Sequence, residues 1–535
     1  MDWSALPLEP LESILGKLKF KDRLACSLVC RRWNEALFSC PALAQTIVLV
    51  IGTSYGDEHE PEVLLRYSKR NYRLLAVELN NNVSSAKINR CLVNVLDQCE
   101  VHGLSLFGMV NSVFESIRLH SVRFRSLTEL SLELTVDQLV LLSSVQELTM
   151  EQLKKFHYIQ LYSGSAPASV AVFLDAPNLE SAVIVLESLG DEEALYREGP
   201  LLELRGCSRL KTLEVDLKGC MWQNFFTTMR PKLERLLIRR ASDESEEYDW
   251  DMLFGNMPAL HHVDMVYSND AMLSSLSRNC SKLKKLVLNG FRYEDGSFGD
   301  NINRILLEEL HVDGRLRSVL YSNQSTLTLK TVKKISWSNV KFSRVQYVFV
   351  VDAPEVTSVT VRWCDYRRFQ LRPGDQLKSI DIDYYGNQTV APNFFRASLD
   401  QLHSLILYIN GSSLALVGQM DSFPCLKKLE LICSTEHHGY GISALFESIC
   451  VSCLGLVELT IRNEHERLLH IENCHLIHLV RLEHLRVLTL QYITIINVSD
   501  DITLGYWVRI NAKGCRIVDC AGQQTKFPIR CLTAE

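Results

Sequence analysis

The chain has 535 residues, and 47% of them are hydrophobic, which is ample for a buried core and excludes an intrinsically disordered protein. Its 57 Lys and Arg residues stand against 63 Asp and Glu residues, giving a formal net charge of −6. A nucleic-acid backbone binder usually carries a basic excess, so we expect no nucleic-acid partner. Since no apolar run is long enough to span a bilayer, we expect no membrane partner either.

The cysteine content and the first residues bear on the cellular compartment. The 17 cysteines form an odd number in a long chain, and Asp2 and Glu9 lie where an export signal would carry positive charge. We therefore expect free thiols in a reducing compartment, in the cytoplasm, the nucleus or both.

The N-terminal stretch predicts two amphipathic helices. Leu8, Leu11, Leu15 and Leu18 recur at three- and four-residue steps, which places them on one face of a first helix. Pro7 suits the first turn of that helix, because its missing N–H is not needed there. Asp22 is a favourable N-cap for a second helix. That helix would carry its own apolar stripe, made of Leu24, Leu28, Val29 and Trp33.

These residues resemble the F-box family. The family pattern is Leu-Pro with a nearby Glu, an amphipathic helix, an acidic residue, and then Val-Cys-basic-basic-Trp, matched here by Leu6-Pro7, Glu9, Asp22 and Val29 to Trp33. The resemblance implies an all-α F-box domain over residues 1–45 that binds the Skp adaptor and, through it, the cullin and RING subunits of a ubiquitin ligase. The implied adaptor-binding residues are Leu6, Pro7, Leu8, Leu11, Ile14, Leu15, Leu18, Leu28, Val29, Cys30 and Trp33.

A second pattern returns along the rest of the chain: an apolar residue, two others, an apolar residue, one other, and a third apolar residue. Clear copies are Leu283/Leu286/Leu288 and Leu426/Leu429/Leu431, and a looser copy is Val145/Leu148/Met150. Successive copies start 21 to 27 residues apart, at 210, 233, 260, 283, 307, 332, 356, 377, 402 and 426. Pro or Cys often precedes a copy, and Pro favours a turn there.

This period resembles the leucine-rich-repeat family, whose repeats are 20–29 residues long. The resemblance implies an α/β solenoid over residues 46–490, a horseshoe with parallel strands on the concave face and helices such as Ala271–Leu276 and Ile442–Ile449 on the convex face. Residues 491–535 lose the pattern, although Asp500–Val508 and Ile510–Val518 still read as strands. We expect this tail to cap the last repeat.

Motifs for catalysis or metal binding are weak. His465-Glu466 followed by His470 has the wrong spacing for a zinc-protease helix, and Cys450 with Cys453 forms a lone CxxC without a second pair. Nothing assembles a nucleophile with a base. The sequence therefore predicts a non-enzymatic chain with no metal site and no cofactor.

Side chains between the apolar strand positions should face the concave side, because strand residues alternate between faces. Such residues include types that are enriched at protein-binding hot spots. The predicted substrate-binding residues are Arg235, Arg239, Arg240, Asp264, Tyr267, His311, Arg362, Trp363, Asp381, Asp383, Tyr384, Tyr408 and Arg462.

Together, the two resemblances imply a substrate-recognition adaptor of a Skp–cullin–F-box ubiquitin ligase, whose repeats hold an unknown target protein. One alternative is a ligand-sensing F-box receptor, which would need several Lys and Arg residues converging on the concave face. Arg235, Arg239 and Arg240 form one basic cluster, but Glu214, Asp216 and Asp264 lie on neighbouring strands. A ligase-independent repeat scaffold is the third interpretation.

Overall fold

The computed structural model groups the chain into two compact units, Met1–Leu260 and His261–Glu535, called here the N-terminal and the C-terminal unit. The N-terminal unit is described at residues 6–27, 29–44, 47–52, 72–78, 85–107, 126–135, 148–162, 171–188, 201–216, 230–239 and 249–260. The C-terminal unit is described at residues 261–266, 270–290, 298–313, 326–339, 349–362, 369–383, 400–409, 423–433, 455–463, 469–472, 484–491, 493–496, 502–504, 509–513, 516–518 and 529–531.

Helices are concentrated at the N-terminus and recur in a few repeats. Those of the N-terminal unit are α1 (Leu8–Lys17), α2 (Phe20–Ser27), α3 (Arg31–Ser39), α4 (Pro41–Ala44), α5 (Ser85–Gln98) and α6 (Trp250–Gly255). Those of the C-terminal unit are α7 (Asp270–Asn279) and α8 (Phe298–Arg304). No helix among the described residues is long and apolar enough to cross a membrane.

The strands of the N-terminal unit form two parallel sheets. The larger runs in the order β1 (Val48–Gly52), β2 (Leu74–Glu78), β3 (Gly103–Phe107), β4 (Glu129–Thr135), β6 (Lys155–Tyr162), β8 (Ser181–Ser188), β10 (Thr212–Val215) and β11 (Arg235–Ile238). The smaller runs β5 (Leu148–Thr149), β7 (Ala171–Asp175) and β9 (Leu201–Arg205).

The C-terminal unit repeats this arrangement. Its main parallel sheet runs β12 (His262–Val266), β13 (Lys285–Asn289), β14 (Glu309–Asp313), β16 (Lys334–Ser338), β18 (Ser358–Arg362), β20 (Ser379–Asp383), β21 (Ser404–Ile409), β22 (Lys428–Cys433), β23 (Glu458–Asn463), β25 (Val487–Gln491) and β28 (Arg509–Lys513). Three short parallel groups accompany it: β15 (Thr326–Thr328), β17 (Phe349–Ala353) and β19 (Phe369–Pro373); β24 (Leu469–Glu472), β26 (Ile493–Ile496) and β29 (Arg516–Val518); and β27 (Ile502–Leu504) with β30 (Ile529–Cys531).

The repeated apolar positions form the cores. Leu286 pairs in register with Leu310, which pairs with Ile335, and all three side chains are buried. The third position of each repeat stacks in the same way, as at Leu288, Val312 and Trp337. A single repeat could not cover these faces, whereas stacked neighbours bury them, so the predicted parallel-strand solenoid is confirmed.

The residues before each strand form the predicted turns. In the segment that ends at Leu179, the amide of that residue donates to the Ala176 carbonyl at 3.1 Å, which places Pro177 at the second position of a β-turn. The turn before Leu283 forms without a proline, since the Leu283 amide donates to the carbonyl of the buried Cys280 at 3.1 Å. Burial raises the pKa of the Cys280 thiol to about 12. Cys280 is therefore a small buried apolar residue, as expected.

One repeat lies in a different place from its prediction. The looser copy at Val145/Leu148/Met150 is wrong, because Leu148 belongs to β5 in the smaller sheet. The main-sheet strand is β6, where Phe156 and Tyr158 are buried in register with Leu130 and Leu132. With Leu153, these two aromatic residues have the same apolar spacing as the other repeats.

The predicted helical side of the repeats is confirmed only in part. Ala271–Leu276 lies within α7, as expected, whereas Ile442–Ile449 lies outside the described residues. Three successive repeats carry the strands β15, β17 and β19 there instead of helices. Alternating apolar and polar residues such as Phe369, Gln370 and Leu371 in β19 explain this in part, because a period of two favours a strand. In the tail, β28 still pairs with β25, so parallel stacking continues beyond residue 490.

Candidate functional site

The F-box helices enclose a small core of their own. Its buried residues are Leu11, Leu15, Ala36, Leu37, Phe38, Leu43 and Ile47, and the partly buried residues packed against them are Leu18, Cys26, Trp33, Cys40 and Tyr72. Leu11 and Leu15 lie one turn apart on α1, so they present a continuous apolar stripe to α3.

The second helix differs from its prediction. α2 begins at Phe20, so Asp22 lies in its first turn and is not its N-cap. α2 ends at Ser27. The Val29 amide then donates to the Cys26 carbonyl at 3.1 Å, which forms a turn, and the extended backbone of Cys30 precedes α3. The expected single helix through Trp33 is therefore two helices. Arg23 fixes the preceding connection, since its Nε donates to the Leu18 carbonyl at 2.9 Å.

The F-box core continues into the first repeat. The rings of Phe38 and Tyr72 meet edge to face, with centroids 5.4 Å apart and planes at 75°. Ile47, just before β1, is buried in the same cluster. Tyr72 lies two residues before β2, so the F-box and the first strands pack as one body within the N-terminal unit. Sequence reasoning did not identify Tyr72, although its place before a repeat strand is a usable signal.

The predicted adaptor-binding residues fall into two groups. Leu11 and Leu15 are fully buried, so they build the core and cannot themselves touch a partner, which corrects their assignment as contact residues. Leu18 and Trp33 pack partly against that core, and Leu6 and Cys30 are half-buried. Pro7 is exposed, and Leu28 lies outside the described residues.

Three predicted adaptor-binding residues are exposed apolar side chains: Leu8 at 46%, Ile14 at 37% and Val29 at 63%. At 100° per residue along α1, Leu8 and Ile14 flank the buried Leu11/Leu15 stripe on its two sides. Val29 lies in the turn between α2 and α3. We call Leu8, Ile14 and Val29 the exposed F-box residues. Exposed large apolar side chains beside a built core are the kind of surface that a protein partner covers.

On the C-terminal unit, the strand positions between the buried ones form an open face of mixed charge. Glu309 lies between two lysines on neighbouring strands, 2.6 Å from Lys334 Nζ and 3.3 Å from Lys285 Nζ. The hydrogen bond from Lys334, aided by Lys285, lowers the pKa of the Glu309 carboxyl. The charged side chains of these strands are therefore paired with opposite charges on the neighbouring strands.

The arginines predicted to bind substrate are also paired with carboxylates. Arg362 Nη2 donates to Asp381 Oδ2 at 2.6 Å, and its guanidinium carbon lies 5.8 Å from the centre of the Tyr408 ring. Arg462 Nε donates to Glu430 Oε1 at 2.9 Å. These contacts bring Arg362, Asp381 and Tyr408 together on the neighbouring strands β18, β20 and β21, and their role in substrate binding stays a prediction.

The arginines of the N-terminal unit show the same pairing. Arg239 forms an ion pair with Glu214, while Arg235 is exposed and Arg240 lies outside the described residues. A polyphosphate needs cations that are not already neutralised. The pairing of Arg239 therefore weighs against the ligand-receptor interpretation that was based on this cluster.

The remaining predicted residues have less structural description. Tyr267, Trp363 and Tyr384 lie outside the described residues, and for Asp383 the structure describes the backbone of β20 but not the side chain. Asp264 is half-buried and accepts a hydrogen bond from Asn289 Nδ2 at 3.0 Å. Their role in substrate binding stays a prediction.

His311 lines a pocket on the open face of the C-terminal unit. The pocket has a volume of about 260 Å³ and is lined by Lys285, Val287, Asn289, His311, Val312, Asp313, Ser336 and Ser338. Burial, aided by the positive charge of Lys285, lowers the pKa of His311, so the imidazole is neutral near pH 7. Asn339, at φ 54°, donates from Nδ2 to both carboxylate oxygens of Asp313, at 3.1 and 3.3 Å.

Of these pocket residues, only His311 belongs to the predicted substrate-binding set. Asn289, Asp313, Ser336 and Ser338 occupy strand positions that alternate with buried ones, so the period-two pattern could have identified them. The prediction favoured Arg, Tyr and Trp as binding residues and therefore omitted these small polar side chains.

Comparison with known proteins supports this architecture. The F-box domain family matches residues 3–43. The F-box/LRR-repeat protein 21 of Mus musculus is 25% identical over 123 residues, which span 22% of this chain and 28% of that protein. The crystal structure of the APL1 leucine-rich repeat domain aligns with 66% of this chain and 94% of its own, at 12% identity and a TM-score of 0.28. The last value is too low to carry an argument.

The chain thus carries an F-box domain followed by a parallel-strand solenoid with leucine-rich-repeat periodicity. This combination is similar to that of F-box/LRR-repeat proteins.

Proposed function

We propose that this chain is the substrate-recognition adaptor of a Skp–cullin–F-box ubiquitin ligase. Proteins of this architecture are typically the substrate receptors of such ligases and are generally non-catalytic. In this proposal the F-box binds the Skp adaptor, which links the chain to the cullin and RING subunits. The open faces of the repeats bind a target protein, which a separate enzyme ubiquitinates.

The observation that carries the proposal is the set of exposed F-box residues. Leu8, Ile14 and Val29 lie within the stretch that matches the F-box domain, and they remain exposed although the helices around them share a buried core. Covering such apolar side chains releases water and favours association, by about 25 cal/mol for each Å² buried. A stable protein partner accounts for their exposure.

The test is co-purification of the full chain with the Skp adaptor and a cullin. Val29→Asp places a charge on the proposed interface without touching the core, since Val29 is 63% exposed. Leu306→Asp is a matched control, because Leu306 is 65% exposed and lies in the C-terminal unit. We expect Val29→Asp to reduce recovery of the adaptor at least tenfold, which corresponds to about 1.4 kcal/mol.

The control should recover the adaptor and cullin as the native chain does, and both variants should melt at the native temperature. Recovery of neither subunit by the native chain would contradict the proposal. Equal loss in both variants would show that the loss does not come from the F-box surface.

A further inference from the structure

Two adjacent rows of polar residues cross the main sheet of the C-terminal unit from β16 to β22. The first row contains the residues immediately before these strands: Lys333, Thr357, Lys378, His403 and Lys427. The second row contains the first residues of the strands, paired in register: Lys334, Ser358, Ser379, Ser404 and Lys428. In the first row, the backbone amide of each later residue donates to the carbonyl of the one before it, at 2.8 or 2.9 Å. We call these two rows the lysine surface.

Cations alternate with small polar side chains across the lysine surface. The lysines lie on β16, β20 and β22, whereas β18 and β21, between them, contribute hydroxyls and an imidazole. Neighbouring strands are about 4.8 Å apart, so the lysines recur about every 10 Å. A peptide in the polyproline II conformation places every third side chain on the same side, about 9 Å apart. The surface therefore matches an extended segment with a charged residue at every third position.

The two central lysines carry charges that the protein itself does not pair. Lys378 and Lys427 are exposed, and neither forms an ion pair within the part of the chain that the structure describes. The outer lysines are paired with carboxylates on β14 and β23, or just before β14, which lie outside the surface. The two rows themselves contain no carboxylate from β16 to β22. Lys378 and Lys427 are therefore available to an anionic partner.

The carboxylates nearest to the lysine surface do not take these two lysines. Further along the strands, the carboxylates on β20 and β22 that follow the second row are paired with Arg362 and Arg462. Glu355, Asp375 and Asp400 are exposed in the turns before the strands, and none of the three forms an ion pair with a lysine of the surface. An incoming carboxylate thus meets Lys378 and Lys427 without an internal competitor.

The same two rows are arranged differently in the N-terminal unit. There Lys155 lies 2.6 Å from Glu129, and Lys211 lies 3.7 Å from Glu180, each pair joining neighbouring strands. The repeat can therefore pair cations with carboxylates at these positions. Three successive strands without a carboxylate in either row, β18, β20 and β21, are a property of the lysine surface and not of the fold.

The spacing of the lysines favours carboxylates over a phosphate. A phosphate is bound by several donors that converge on one group, whereas lysines about 10 Å apart suit separate unit charges. We propose that the lysine surface binds an acidic segment of the target protein, with Asp or Glu at about every third position. Ser358, Ser379 and Ser404 donate hydrogen bonds to its carboxylates. This inference rests on the proposed function, which makes the partner a target protein.

The experiment is fluorescence anisotropy of peptides that carry an uncharged dye, titrated with the full chain. The first probe is Glu-Ser-Ser-Glu-Ser-Ser-Glu. Two further probes have Lys or Ser in place of Glu, and a fourth is the all-serine peptide with one phosphoserine. We expect the acidic peptide to bind at least tenfold more tightly than the lysine and serine peptides. Its binding should be lost at about 1 M salt, where the Debye length falls to about 3 Å.

Variants of the exposed lysines localise the binding. Lys378→Gln/Lys427→Gln removes the two central charges, and we expect it to weaken binding of the acidic peptide at least fivefold. Lys154→Gln/Lys211→Gln is the matched control, because it removes two exposed lysines from first-row positions of the N-terminal unit. This control should keep the native affinity. Lys378→Glu/Lys427→Glu should reverse the preference, so that the lysine peptide binds more tightly than the acidic one.

The inference is overturned if the acidic and serine peptides bind equally, if the control loses as much affinity as Lys378→Gln/Lys427→Gln, or if the phosphorylated peptide binds most tightly. Analytical ultracentrifugation covers a further occupant, a second copy of the chain. A dimer that dissociates in Lys378→Gln/Lys427→Gln would assign the surface to self-association and overturn the inference.

Adaptor recovery reports separately on the proposed function, because Val29 and Lys378 lie in different units. A chain that recovers the adaptor but does not distinguish the peptides would refute the lysine surface alone. A chain that binds the acidic peptide but recovers no adaptor would refute the ligase proposal and leave the surface as a binding site for acidic peptides.

Discussion

The F-box and the open face of the C-terminal unit expose opposite kinds of side chain. Leu8, Ile14 and Val29 are apolar and exposed around a complete helical core. On the repeats, the strand positions between the fully buried ones carry ion pairs such as Lys334 with Glu309 and Arg362 with Asp381. Burial of an apolar surface favours a stably bound partner. A polar surface whose charges are already paired adds little net affinity, but it distinguishes between partners by the positions of their charged groups.

This difference shows how the two regions divide fold and binding. In the repeats, alternate strand residues are buried and set the stacking, which leaves the other residues free to vary. In the F-box, the short helix α1 carries both buried and exposed apolar residues. The buried ones form the core, and the exposed ones lie directly beside them. Mutations should therefore separate fold from binding cleanly in the repeats and less cleanly in the F-box.

The largest expected effect is on the repeat core. Trp337 is fully buried on β16, so Trp337→Ala should lower the free energy of unfolding by about 3–5 kcal/mol. Trp33→Ala in the F-box should cost less, because Trp33 is only partly buried against its core. Urea denaturation followed by circular dichroism measures both. A larger loss for Trp33→Ala would contradict this ranking.

The sequence was sufficient to predict the repeats, because buried positions recur with a fixed spacing. Leu286 and Leu310 occupy the positions that the pattern assigns. The prediction missed Phe156 and Tyr158, although Leu153, Phe156 and Tyr158 have the same apolar spacing, because the competing copy at Val145/Leu148/Met150 was assigned instead. The sequence analysis also missed the strands β15, β17 and β19, because short apolar runs are compatible with either a strand or a helix.

The sites were less predictable than the fold. Helical spacing placed Leu11 and Leu15 correctly on one face of α1, but it could not show that both side chains are buried in the F-box core. Whether an apolar residue is buried or left exposed depends on how α1 packs on α3, which is a tertiary property. Likewise, Arg362 could be placed on the open face, but its ion pair with Asp381 depends on the register between strands.

Helix α1 offers the next test, within a single helix. Leu15→Ala should lower the free energy of unfolding by about 2–5 kcal/mol, because it leaves a cavity in the F-box core. Leu8→Ala should change it by less than about 0.5 kcal/mol, since Leu8 is exposed, while reducing adaptor recovery. Thermal melting and adaptor co-purification separate the two effects. Equal destabilisation by both substitutions would refute the division of α1 into core and binding residues.

An intermediate effect is expected at the ion pair between β18 and β20. Arg362→Met leaves the mostly buried Asp381 carboxylate without this guanidinium, so we expect a loss of about 1–3 kcal/mol in the free energy of unfolding. The double variant Arg362→Met/Asp381→Leu should recover most of that loss, because it removes both charges. Chemical denaturation of the native chain, Arg362→Met, Asp381→Leu and the double variant closes the cycle. No recovery in the double variant would show that Arg362 stabilises the fold through its other contacts.

The smallest expected effect lies at Glu309, between its two lysines. Its carboxyl has a lower pKa in the folded chain than the ordinary value of 4.5, so the ionised form is favoured by folding. The contribution is therefore present above about pH 4.5 and is lost as the pH falls through the folded pKa. Glu309→Gln should cost at most about 1 kcal/mol at pH 7, less at high salt, and progressively less as the pH falls through the folded pKa. Glu458→Gln, with its single more exposed partner Lys428 at 3.5 Å, is the control and should cost less. A Glu309→Gln deficit that persisted at pH 3 would mean that the side chain acts by packing, and the charge-compensated character of the open face would then not contribute to its stability.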